Sequence, residues 1–327
     1  MLEYLRARRA ALGGPAPARR RAVEHVPALA RPIGSALDEG SGAREQSTTM
    51  ALTRLLAHCL RDPALGPRIV PIVADEARTF GMEGLFRQIG IHAATPQRYE
   101  PVDAGTMTAY VERPDGQLLQ EGIAEAAALS SFTAAGTAAA TWGVPLLPFY
   151  VYYSIFGLQR VGDLIWAAGD QLCRGFLVGA TAGRTTLHGE GLQHQDGHTP
   201  LWAGTVPNLV HYDPAFGYEL AAIVDDGLAR LARGDDRIYY LTVYNESYPM
   251  PARPSHVATE DLLHGLYCYA PAAGRADVQL VASGPILREA LRAREQLVAA
   301  GLEVAVWSAT SWNELYREAV EVERAAV

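Results

Sequence analysis

LLPFYVYYSIFGLQRVGDLIWAAGDQLCRGFLVGA, residues 146–180, reads as a strand, a helix and a second strand. Leu146 to Tyr153 and Gly175 to Ala180 are short apolar and aromatic runs of strand length, and Val161 to Cys173 carries helical spacing between them. The same alternation extends in both directions. Upstream, Arg68 to Ala74 reads as a buried strand and Glu83 to Ile89 as a helix. Thr48 to Leu60 is a helix capped by Ser47 or Thr48, and Gly122 to Ala140 is a long Ala-rich helix entered through a turn at Gln120–Gly122. Downstream, Leu209 to Tyr212 is a strand, Tyr218 to Ala232 an amphipathic helix and Ile238 to Tyr244 a strand. Strands alternating with helices of this length predict an α/β fold, a doubly wound parallel sheet covered on both faces.

Tyr248 to Ser255 (YPMPARPS) breaks the pattern and reads as a linker. Val278 to Ala282, Ile286 to Ala300 and Glu303 to Trp307 then open a second α/β unit that stops at Val327, before a full sheet closes. Residues 1–46 are rich in Arg, Ala, Pro and Gly and read as an arm, with a short helix at Leu2 to Leu12. The expected division is an arm at 1–46, a main domain at 47–250 and a shortened α/β domain at 255–327.

Of 327 residues, 49% are hydrophobic, enough to bury a sizeable core. A formal net charge of −8 argues against a nucleic-acid partner. No apolar run is long enough to span a bilayer, and the Arg-rich start lacks the apolar segment of a secretory signal. Cys59, Cys173 and Cys268 form no CxxC pair, which fits reduced thiols in a cytoplasmic protein. Every basic residue in the +1 class is Arg; the chain has no lysine. That excludes a Walker-A NTPase, a lysine Schiff base and the SxxK hydrolases.

In open α/β sheets, functional residues gather where strands end. Asp75 and Glu76 follow a buried strand. They are either first-turn carboxylates of the next helix or site residues. Glu125 lies among Ala124, Ala126, Ala127 and Ala128, a setting that would bury its carboxyl and raise its pKa. The rings of Tyr150, Tyr152, Tyr153 and Phe156 either pack in the core or offer a flat group a surface to stack on. The loop TTLHGEGLQHQDGH holds His188, Glu190, His194, Asp196 and His198. Its glycines make it a loop and it contains no HExxH pair. Contact with a polar substrate is therefore the better reading, and no metal site is assigned to the chain.

Three of these stretches carry a resemblance. RIVPIVADEARTFGMEGLFRQIGI, PFYVYYSIFGLQRVGDLIWAAGDQ and GRTTLHGEGLQHQDGH are similar throughout to the E1 component of single-chain pyruvate dehydrogenases, within the transketolase superfamily. The likeness runs from LEYLRARRAALGG, which looks like that family's interdomain connector, to about Ser311. It implies a thiamine-diphosphate enzyme of which this chain is the pyrimidine-binding half. The family's diphosphate domain supplies GDG and a following Asn that hold Mg²⁺. This chain has no GDG, and its asparagines are Asn208, Asn245 and Asn313. The expectation is a split enzyme, with the diphosphate and metal ligands on a partner subunit in an α2β2 heterotetramer.

By motif, the resemblance makes Glu125 of GIAE the glutamate that hydrogen-bonds the aminopyrimidine ring. Asp75 and Glu76 belong to the carboxylate network around it, and Tyr153 and Phe156 flank it. His194 of GLQH contacts the substrate, with Glu190, His198 and His188 nearby, and Arg160 and Arg184 are further cationic candidates. The implied reaction moves a two-carbon unit to a lipoylated carrier. The donor is a ketose phosphate giving a ketol unit in a biosynthetic pathway or, alternatively, pyruvate giving an acetyl unit. A non-catalytic regulatory partner of a complete E1 is the third reading.

Overall fold

The computed structural model describes residues 1–11, 37–74, 77–106, 108–187 and 189–326. The main sheet has strands β1 (Ile69–Val73), β2 (Leu119–Gln120), β3 (Leu147–Tyr153), β4 (Gly175–Ala180), β5 (Leu209–Tyr212) and β6 (Ile238–Thr242). Side by side they run β2-β1-β3-β4-β6-β5, and every pairing is parallel. Parallel neighbours need crossovers, supplied chiefly by helices α2 (Glu125–Gly136), α3 (Gly157–Asp170) and α4 (Gly217–Arg233), while α1 (Thr48–Arg61), which precedes β1, packs on one face of the sheet.

Strand β3 shows why both faces are covered. Side chains alternate along a strand. Phe149 and Val151 join the core formed with α1 and α4. Tyr150 and Tyr152 join the opposite core, formed with α2 and α3. A run that is apolar at every position therefore suits a strand buried on two sides.

The second unit comprises β7 (Tyr267–Ala270), β8 (Val278–Ala282), β9 (Val304–Ser308), α5 (Leu287–Ala299) and α6 (Trp312–Ala325). Its strand order is β7-β9-β8; β8 pairs parallel with β9 and β7 antiparallel. Buried Glu219 on α4 pins it to the main sheet. One carboxylate oxygen accepts the Tyr267 and Ser308 hydroxyls at 2.5 and 2.7 Å, while the other accepts the backbone N–H groups of Ala215 and Phe216. Burial pushes the Glu219 pKa up, and these donors pull it back. Among the described residues, no helix is long and apolar enough to cross a membrane.

Several boundaries differ from the expectation. The Ala-rich helix does not begin at Gly122. Gly122 has φ +72 and Ala124 φ −146, neither helical, so Glu125 is the first residue of α2 rather than one turn in. The helix at 161–173 instead begins at Gly157 and kinks at Val161. Tyr248–Pro249, expected within a linker, pair antiparallel with Glu45–Gln46. Most of the arm, residues 12–36, lies outside the described residues.

Two expected outcomes follow from the packing. A Cβ added to Gly157 would sit 2.0 Å from the Tyr152 ring, which is fully buried and cannot retreat. Gly157→Ala should destabilise by ~1–3 kcal/mol or more, measured by urea denaturation. Burial lowers the His211 pKa to about 4 from 6.5. The unfolded state therefore binds more protons between those values, and stability falls as pH drops from about 6.5 towards 4. His211→Gln should flatten that part of the stability–pH curve, and an unchanged slope would count against the assignment.

Candidate active site

The strand order places a reversal between β1 and β3: the chain leaves β1 for β2 on one side, then returns to β3 on the other. Loops diverge at such a point and leave a crevice beyond the carboxyl ends of the strands. A cavity of about 180 Å³ lies there. It is lined by Ala74 after β1, Tyr152 and Tyr153 at the end of β3, Phe156 beyond them, Ile123 just before α2 and Glu125 at its start, Phe80, and His194 from the Gly-rich loop.

Its aromatic wall is built in one short stretch. After Tyr153 the chain makes a 3-10 turn, Ser154–Phe156, then enters α3. Tyr153 and Phe156 meet edge to face at 6.0 Å, and the His194 ring lies 5.1 Å from Tyr153 and 5.8 Å from Phe156. His194 Nδ1 is 3.0 Å from the Glu190 carbonyl. A carbonyl only accepts, so Nδ1 carries a proton, which leaves Nε2 as the ring nitrogen free to exchange one with a bound group.

Glu125 is buried except for its cavity edge. Arg160 Nη1 donates to its Oε1 at 2.6 Å, and the Arg160 guanidinium lies 4.1 Å over the Phe156 ring. The setting is thus not the purely apolar one expected from the flanking alanines; it contains an ion pair. Beneath, the Tyr150 hydroxyl donates to the Glu125 carbonyl at 3.4 Å. Burial, then the Glu125 and Glu121 charges, push the Tyr150 phenol well above its usual range, so it remains a donor.

The structure therefore brings together Glu125, Tyr153, Phe156 and His194, with Arg160 on Glu125. It does not bring Arg184, His198 or Glu190 to the cavity lining. Arg184 instead lies 3.3 Å from His198 Nδ1. Asp75, Glu76 and His188 lie outside the described residues. Ile123, Phe80 and Ala74 were not singled out by sequence, since nothing distinguishes an apolar cavity wall from core in a single chain. Among the described residues, no three His, Cys, Asp or Glu side chains converge to hold a metal ion. A carboxyl at one edge and ring faces on the wall suit a flat heteroaromatic group with polar edges, which is the chemistry of an aminopyrimidine.

Residues 25–251 match the pyruvate dehydrogenase E1 component middle domain, and residues 265–326 match the transketolase-like C-terminal domain. The chain is 51% identical over 326 residues to the pyruvate dehydrogenase E1 component of Pseudomonas aeruginosa, covering 98% of this chain and 37% of that protein. It is 47% identical to the Escherichia coli K12 counterpart, covering 98% and 36%. It thus spans a little over a third of the length of these relatives. In fold it is similar to a transketolase from Campylobacter jejuni (TM-score 0.65, 15% identity, 88% of this chain and 39% of that one). It is also similar to a split-gene transketolase described as an inactive β4 tetramer (TM-score 0.56, 18% identity, 81% and 71%). Over the region matched by that middle domain, the chain belongs to the pyruvate dehydrogenase E1 family of the thiamine-diphosphate-dependent transketolase superfamily, whose pyrimidine-binding half it comprises.

Proposed function

We propose that this chain supplies the pyrimidine side of a thiamine-diphosphate active site that releases CO2 from pyruvate and passes the remaining two-carbon unit to the disulfide of a lipoylated carrier, which is reduced as it is acetylated. The observation that carries the reading is the cavity between β1 and β3, where Glu125, Tyr153, Phe156 and His194 converge. When bound, the cofactor supplies the nucleophilic carbon and the electron sink. The chain's own residues bind, orient and move protons. Arg160 engages Glu125 Oε1, which leaves Oε2 to hydrogen-bond a ring nitrogen. Phe156 and Tyr153 offer ring faces, and His194 Nε2 is placed to accept or return a proton at the substrate. By the family motif, Asp75 and Glu76 would belong to the carboxylate network around that ring.

Groups for the diphosphate and Mg²⁺ would come from outside these 327 residues, because the GDG and its following Asn are not among them. The arrangement we favour pairs two pyrimidine halves with two diphosphate halves about a twofold axis. The geometry favours pyruvate over a ketose phosphate as donor. Among the described residues, the cationic candidates offer little to a phosphate in the cavity: Arg160 is paired with Glu125, and Arg184 and His198, 3.3 Å apart, are not part of its lining. A merely regulatory role would give no reason for Glu125 and His194 to share one cavity.

The test is to assemble the chain with a diphosphate-binding half and Mg²⁺, supply pyruvate or a ketose phosphate, and weigh a lipoylated acceptor. An acetyl mass shift with pyruvate is expected; a glycolyl shift from the ketose would overturn the donor assignment. Glu125→Gln should lower turnover about 10²–10⁴-fold. His194→Ala should lower turnover far more than cofactor affinity. Near-normal rates in both variants would sink the site assignment.

A further inference from the structure

We propose that Asp196 is a positioning residue: it fixes His194 and Phe156 relative to each other and so shapes the cavity from behind. The proposal rests on the reading of that cavity given above. Asp196 is 4% exposed and is not part of the cavity lining. Three donors converge on its carboxylate. Oδ1 accepts the backbone N–H groups of His198 and Thr199 at 3.1 and 3.2 Å, and Oδ2 accepts the Ser154 hydroxyl. Its own N–H donates to the Gly183 carbonyl at 3.0 Å, just beyond β4.

Capping the short helix Thr199–Ala203 would account for Oδ1 alone. The Ser154 hydroxyl is different, because it lies 42 residues away in sequence. Ser154 is wholly buried; its hydroxyl also lies 3.2 Å from Tyr240 Oη, and its carbonyl accepts the Thr199 hydroxyl at 3.5 Å. Ser154 opens the turn that ends in Phe156, and Asp196 lies two residues after His194. One carboxylate therefore ties the aromatic turn to the histidine loop. Apart from the weaker Thr199–Ser154 contact at 3.5 Å, the other hydrogen bonds described for residues 184–199 stay local to that segment, its approach from β4 and the short helix that follows. The His194 ring otherwise rests on the cavity aromatics. Loss of the tie should let the loop drift while the sheet stays intact. Misplacement of a reacting group by about 1 Å can cost on the order of 10²-fold in rate.

Two variants test this, Asp196→Ala and Ser154→Ala, with Asp196→Asn as the conservative control. The first readout is hydrogen–deuterium exchange in the full chain, which needs no turnover. Amides in 189–199 should exchange on the order of tenfold faster, the effect of one lost hydrogen bond, while β3 and β4 stay protected. The second readout uses the assembled enzyme. Here kcat should fall on the order of 10²-fold in Asp196→Ala, with thiamine-diphosphate affinity and melting temperature near wild type and Asp196→Asn intermediate. If Asp196→Ala unfolds throughout, Ser154→Ala, which removes a single hydroxyl, decides the matter by the same loop-specific exchange. Unchanged loop exchange in Ser154→Ala, uniform loosening of the core, or unchanged kcat would overturn the proposal. If the wild-type assembly shows no turnover, the functional reading fails, while the exchange result still decides the role of Asp196.

Discussion

The contact between the Tyr152 ring and Gly157, too close for any Cβ between them, sets the geometry on which the cavity depends. Tyr152 is locked in the core against Tyr150 and Tyr240. The chain can leave β3 and start α3 within a few residues only if residue 157 has no side chain. That sharp exit puts Tyr153 and Phe156 on the cavity wall, and Ser154 under it. It also makes Arg160, just before the kink at Val161, reach back across Phe156 to Glu125 on α2. A looser turn would separate the aromatic wall from the carboxylate.

The second determinant is topological. Because β2 lies on one side of β1 and β3 on the other, the segments that follow these strands diverge. Residues from the ends of β1 and β3, from the start of α2 and from the loop after β4 converge on the gap. No local segment could supply a carboxylate, two aromatic faces and an imidazole at once; the parallel sheet brings them together from four parts of the chain. The polar layer beneath, with Ser154, Asp196, Tyr240 and His211, is buried and hydrogen-bonded. It holds the wall rigidly without exposing itself to the contents of the cavity.

Much of this was legible in the amino-acid sequence, for identifiable physical reasons. Strands buried on both faces are continuous apolar runs, so β3, β4 and β5 stand out with bounds within a residue of those observed; β8 has the expected bounds too, although it alternates half-buried and exposed residues. Strand β2 has two residues and no pattern to detect. Strand β7, four residues ending before a proline, is antiparallel at a sheet edge and left no alternation to read. Glu125, Tyr153, Phe156 and His194 could be named because motif likeness spans them. The Arg160–Glu125 pair joins residues 35 apart on different helices, and spacing alone does not announce it. Asp196 carried a helix-start signal, an acid followed by Thr199 and Pro200, but its bond to Ser154 is purely tertiary.

The account's central claim is that the gap between β1 and β3 receives the cofactor's pyrimidine ring. The most direct measurement is an experimental structure of this chain assembled with a diphosphate-binding half, Mg²⁺ and thiamine diphosphate. The account predicts the pyrimidine ring against the Phe156 face, with one ring nitrogen about 3 Å from the Glu125 carboxyl and His194 on the substrate side. A ring bound elsewhere, with Glu125 making no contact to the cofactor, would contradict it.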